Sequence, residues 1–199
     1  MNKIIIMAAA VATSGFASAS LLWDYGMSTG TFAGSWQNQT GAQNFAEKVS
    51  FATAVTVNRY SYFTNFDPAS FGTMTVKLLA DNGGVPGGFI NTQSLTMTGY
   101  AAVGGGIYQV DLDLTTPYNL AGNTTYWIGA SGDGFEAAQA SLLTPGDGLM
   151  AQFGATTYSH MAGVGDQAFQ LYGDVIPEPA SMLTLGGLAL VAARRRRKA

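Results

Sequence analysis

Ile107-Tyr108-Gln109-Val110-Asp111-Leu112-Asp113-Leu114 is the stretch that decides the fold. Tyr108, Val110, Leu112 and Leu114 alternate with Gln109, Asp111 and Asp113. A period of two puts the first set on one face of an extended chain and the second on the other, so the stretch predicts a strand with one dry and one wet face. A helix, with its period of 3.6, would scatter the four apolar residues around its circumference. The same alternation recurs outward from this point. Met74, Val76 and Leu78 alternate with Thr73, Thr75 and Lys77, while Val55 and Val57 lead into the aromatic cluster Tyr60 to Phe63. Further strands are predicted near Phe89 to Thr98 and over Phe169 to Val175, and Thr124-Thr125-Tyr126-Trp127-Ile128 has the β-branched and aromatic content of a central core strand. Gly, Asn, Asp and Pro punctuate these runs, with Asp81-Asn82-Gly83-Gly84 as the clearest turn. Eight to ten strands at this spacing predict an all-β fold, a β-sandwich of jelly-roll type. No repeat of fixed period is present, which argues against a solenoid.

Composition agrees. The 199 residues suit one globular domain with short tails. Charged residues make up 11%, less than half of the roughly 25% usual in globular domains, so Ser, Thr, Asn, Gln and Gly must supply the polar surface. With 26 Gly and only Glu47, Glu136 and Glu178 as glutamates, the residues that fill exposed helices are scarce. The formal charge of -3 hides a segregation: Lys3, Arg194, Arg195, Arg196, Arg197 and Lys198 are six of the nine basic residues. Between Ser20 and Pro179, only Lys48, Arg59 and Lys77 stand against all 12 acidic residues. A body this acidic has no cluster of cations for a polyanion, so nucleic acid is excluded as an expected partner. The absence of cysteine excludes disulfides, thiolate metal sites and Cys nucleophiles.

Both ends carry addresses. Lys3, the apolar run Ile4 to Val11 and the small-residue site Ala17-Ser18-Ala19 follow the order of a secretory signal peptide, so residues 1–19 are expected to be removed by signal peptidase after Ala19. At the other end, Ile176-Pro177-Glu178-Pro179 precedes fourteen mostly apolar residues, Ala180 to Ala193, and then Arg194, Arg195, Arg196, Arg197 and Lys198. Two prolines two residues apart hold an extended segment, because neither fits inside a helix. As a helix the apolar run would span about 21 Å against a hydrocarbon core of about 30 Å, which makes it a marginal anchor. The basic cluster stays on the cytoplasmic face and leaves the body on the other side.

Pro177-Glu178-Pro179-Ala180-Ser181, the Leu/Gly/Ala-rich stretch and the Arg cluster together resemble the PEP-CTERM sorting signal. That resemblance implies that Pro177, Glu178 and Pro179 are read by an exosortase, a membrane-embedded transpeptidase-like enzyme. It also implies transient residence in the inner membrane before delivery to the cell surface or extracellular matrix. The organisation expected is therefore a signal peptide (1–19), a β-sandwich (20–174) and a sorting tail (175–199). Over roughly Asn44 to Ala130, Val76-Lys77-Leu78, the turn Asp81 to Gly87 and Tyr126-Trp127-Ile128 resemble the extracellular β-sandwich modules named for a choice of anchor.

Chemistry is sparse in the body. His160 is the only histidine; Ser159 and Asp166 lie near it in sequence, but chain neighbours on a strand face opposite ways and there is no G-x-S-x-G elbow. Asp111 and Asp113 share one strand face, an arrangement that a polysaccharide hydrolase with paired carboxylates would use, although alternation alone accounts for both as a solvated face. Asp81-Asn82-Gly83, Asp133-Gly134 and Asp147-Gly148 are turn chemistry before they are calcium loops. No cofactor is expected, with structural calcium kept as a candidate. Trp127 reads as core, whereas Trp36, among Ser35, Gln37, Asn38 and Gln39, is the candidate for contact with sugar rings. The expectation is a non-enzymatic surface or matrix protein with exopolysaccharide as its candidate ligand; the alternative is a secreted hydrolase using Asp111 or Asp113.

Overall fold

A computed structural model describes residues 19–25, 35–36, 43–132, 138–139, 150–153, 158–160 and 166–177. Among these are thirteen strands: β1 (Ser20–Asp24), β2 (Ser35–Trp36), β3 (Gln43–Phe51), β4 (Val55–Thr64), β5 (Met74–Asp81), β6 (Pro86–Leu95), β7 (Gly99–Gly104), β8 (Ile107–Leu120), β9 (Thr124–Gly132), β10 (Ala138–Gln139), β11 (Met150–Phe153), β12 (Ser159–His160) and β13 (Phe169–Val175). The single helical turn among the described residues is 3-10, at Pro68–Ser70, where the Asp67 side chain accepts from the Ala69 amide. The six strands expected from sequence are all present, the long β8 among them, with β6 covering Pro86–Leu95 where a strand near Phe89 to Thr98 is expected.

The connectivity follows from one long antiparallel ribbon. The pairs β1 with β13, β3 with β9, β4 with β8 and β5 with β6 are antiparallel ladders, each joining a strand to the one that mirrors it about the β5–β6 hairpin. Rolled up, the ribbon places its segments alternately in two sheets. The first sheet contains β1-β13-β4-β8 and the second β3-β9-β5-β6, knitted by further pairing of β13 with β4 and of β5 with β9. That winding is the jelly roll. The shorter strands extend it: β7 adds to the edge of β8, β10 and β2 continue alongside β4, and β11 and β12 extend the second sheet from β3.

Between the sheets lies one core. Tyr60, Tyr62, Val110, Leu112, Phe169 and Leu171 from the first sheet meet Phe45, Val49, Val76, Leu78 and Ile128 from the second. The tyrosine hydroxyls are carried into this core with partners, Tyr118 donating to the Val76 carbonyl (3.2 Å) and Tyr62 to the Met74 sulfur (3.1 Å), as buried polar groups require. Trp127 is buried as expected, in a smaller cluster with Ala46 and Leu79, with Tyr158 packed against it.

β8 runs past the predicted Leu114 to Leu120. It pairs with β4 through Asp113, leaves the ladder over residues 114–117, and pairs again at Tyr118 to Leu120. Pro117 sits in that interruption, where a missing amide donor costs no rung. The displaced chain reaches the facing sheet: Gln93 of β6 is buried, its amide donates to the Thr116 carbonyl (2.7 Å), and its oxygen accepts from the Thr115 hydroxyl (2.7 Å) and the Thr116 amide (3.0 Å). One side chain thus joins the two sheets along their shared edge.

Candidate functional site

Beyond the core, the first sheet turns a polar face to solvent. Register places Asp24 of β1, Gln170 of β13, Ser61 of β4, Asp111 of β8 and Gly99 of β7 in one row across five strands. Tyr172, Arg59 and Asp113 form the adjacent row. The side chains of these rows bond to one another. Gln170 donates to Asp24 (3.0 Å) and accepts from the Tyr172 hydroxyl (2.7 Å). Gln109 donates to the Tyr172 oxygen (3.4 Å) and to Asp111 (3.3 Å), which also accepts from Ser61 (2.6 Å). Arg59 spans both aspartates, its Nε donating to Asp113 (2.6 Å) and its Nη1 lying 3.6 Å from Asp111.

This pairing sharpens the reading of Asp111 and Asp113. They do share a face, but between them stands a cation, so neither is presented as an isolated carboxylate. The Arg59 guanidinium is held above its ordinary pKa, first by the hydrogen bond to Asp113, against the opposing effect of burial, with the charges of Asp113 and Asp111 adding to the rise. The arrangement is a pre-ordered array of donors and acceptors around a half-buried phenol. Such an array can exchange hydrogen bonds with a polyhydroxylated ligand without first ordering its own side chains. Four aspartates, Asp24, Asp111, Asp113 and Asp174, lie on these strands against one arginine, which disfavours a polyanion.

The other predicted residues land as follows. Trp36 pairs through its backbone with Ala138 on β2, and His160 with Met150 on β12; both side chains lie outside the described residues. So do Ala17, Glu178, Pro179, Asp133, Asp147 and the cluster Arg194, Arg195, Arg196, Arg197 and Lys198. Ala19 is half-buried immediately before β1, and Pro177 is exposed immediately after β13. Asp81 performs turn chemistry: its carboxylate accepts from the Gly84 amide (3.2 Å) and the Trp127 indole (2.8 Å). Among the described residues, no group of three or more His, Asp or Glu is placed to hold a metal ion, and no helix is long and apolar enough to cross a membrane.

Sequence reasoning missed the Arg59 bridge and the buried Glu47. Arg59 lies 54 residues from Asp113, and only the register of β4 with β8 joins them. Glu47 is fully buried, accepts from the Gln167 amide (2.6 Å), and so fastens β3 to the start of β13. Gln167 in turn donates from its side chain to the Tyr60 hydroxyl (3.2 Å).

The tail leaves this body with no slack. β13 is paired to β4 through Val175 with Val55, and the Ile176 amide donates to the Ala54 carbonyl (2.8 Å), one residue before Pro177. Residues 175–198 match the family model of the PEP-CTERM protein-sorting motif. No curated protein and no solved structure matches the chain. The match carries export, sorting to the cell surface and processing by an exosortase, and it identifies the C-terminal end of this chain as a PEP-CTERM sorting motif.

Proposed function

We propose that this is a non-enzymatic surface or matrix protein, delivered through its tail, whose jelly-roll body binds an uncharged segment of exopolysaccharide on the outer face of the first sheet. One observation carries the reading: the continuous array of hydrogen bonds and ion pairs from Asp24 through Gln170, Tyr172, Gln109 and Asp111 to Arg59 and Asp113. Sugars offer hydroxyls that both donate and accept, and carboxylates, amides and a guanidinium are their natural partners. Signal peptidase and exosortase act on the chain during export, and the inner membrane holds it in between.

A glycan array probed with the folded body tests this. Binding to neutral polysaccharide is expected, with Arg59→Ala and Tyr172→Ala each weakening it about tenfold or more, equivalent to about 1.4 kcal/mol. Trp36→Ala tests the aromatic contact expected from sequence. Binding unaffected by the Arg59 and Tyr172 changes moves the ligand elsewhere. Cleavage of any polysaccharide, lost on Asp111→Asn or Asp113→Asn with the fold intact, favours the hydrolase instead.

A further inference from the structure

The geometry points to one end of the sandwich as a surface that rests on the lipid headgroups while the tail is in the membrane. It relies on the sorting tail's apolar run entering the bilayer. Ser20 begins β1 opposite Gly173 of β13, and its hydroxyl donates to the Gly173 carbonyl (2.9 Å). The two chain ends therefore leave the body side by side. The β3–β4 turn lies at the same end, because Ile176 bonds to Ala54. So does the β8–β9 turn, since Val55 pairs with Leu120 and the Asn123 amide donates to Phe51. The β5–β6 hairpin joins them, as Ala80 pairs with Tyr126 beside the Phe51 and Thr124 rung.

Distance keeps the body close to the lipid. Ile176 is fixed to the body, and only Pro177, Glu178 and Pro179 separate it from the apolar run that starts at Ala180. The four Cα steps from Ile176 to Ala180 span at most roughly 14 Å when fully extended. The headgroup layer on each side of a bilayer is itself about 5–8 Å deep. The end of the sandwich is therefore held within about 10 Å of the headgroups, close enough to rest on them, and the Pro177 to Pro179 motif bridges body and lipid. The surface suits that position: Val175 (55%), Ile176 (40%) and Val85 (39%) are exposed apolar residues there. The charged side chains of these turns are Asp81 and Asp174, so attraction to anionic lipid is not what holds it; the short tether and the apolar residues are. The polar face of the first sheet then stands upright from the membrane, open to a ligand.

The native chain has no cysteine, so single cysteines can carry an environment-sensitive fluorophore. Val85→Cys and Val175→Cys report on the proposed end. Phe66→Cys and Val103→Cys, equally exposed apolar positions (44% and 43%) beside the opposite rungs Thr64 with Tyr108 and Gly104 with Ile107, are the controls. The full-length chain, tail included, is reconstituted into phosphatidylcholine vesicles bearing a quencher on the headgroup. Quenching several-fold stronger at positions 85 and 175 than at 66 and 103 is expected. Equal quenching at all four, or stronger quenching at 66 and 103, overturns the docking alone. Failure of the chain to float with the vesicles overturns the membrane role of the tail and the docking with it.

Discussion

At the scale of single residues, Arg59 organises the outer face. Among the described residues it is the one cation that bridges Asp111 and Asp113, and its side chain is 39% exposed. Pairs exposed to this degree contribute about 1 kcal/mol or less. Arg59→Met is therefore expected to lower stability by no more than about 1 kcal/mol in denaturant unfolding, with the difference shrinking at high salt as screening weakens the pair. The buried tyrosines give a larger, pH-linked effect. Burial pushes the Tyr118 hydroxyl up from 10 to about 12, with hydrogen bonding to Gln93 opposing the rise; Tyr60 and Tyr62 are raised further, again first by burial. A raised folded-state pKa means that the native protein holds protons the unfolded chain has released. The contribution of Tyr118 is thus complete below pH 10 and is lost as pH rises through about 12. On alkaline titration the absorbance step of the buried tyrosines should coincide with loss of fold, and complete tyrosinate absorbance in a still-folded protein would contradict this.

At the scale of elements, close approach of strands sets the largest sensitivities. Gly129 of β9 lies against the backbone of Phe45 and Ala46, and a Cβ there would collide with the Phe45 carbonyl. Gly129→Ala should cost about 3 kcal/mol, the upper range for overpacking, measured by equilibrium unfolding. Gln93→Ala removes three hydrogen bonds between β6 and the displaced part of β8 and leaves the Thr116 amide without its acceptor. A loss of roughly 2–3 kcal/mol is expected. These elements were unequally legible. β5 and β8 carry strong period-two patterns because each buries one face in the core, and β4 and β9, buried along most of their length, are marked by β-branched and aromatic content. β3 does not, since Glu47 occupies a buried position between Phe45 and Val49 and breaks the apolar alternation. β7, Gly99–Gly104, is an edge strand exposed along most of its length, so burial imposes no pattern on it. The alternation of β8 ends at Leu114, and Pro117 beyond it fits a strand only because the ladder is interrupted there.

At the scale of the whole molecule, the sandwich class was legible but its site was not. Strand count and alternation give two packed sheets, and the two ends give an itinerary. The polar face depends on register between strands up to 146 residues apart, as for Asp24 and Gln170, and local pattern carries no information about such pairing. The same rolling brings Ser20 beside Gly173 and so joins the two addresses physically. Removal of residues 1–19 would leave a chain starting on the first residue of β1, and processing near Pro177 would cut just beyond the last residue bonded to the body. Both cuts flank the folded domain without invading it. The intact mass of the protein recovered outside the cell tests this account most directly. The account predicts a mass for a chain that begins at Ser20 and ends close to the Pro177-Glu178-Pro179 motif; a mass that retains Arg194 to Lys198 would contradict it.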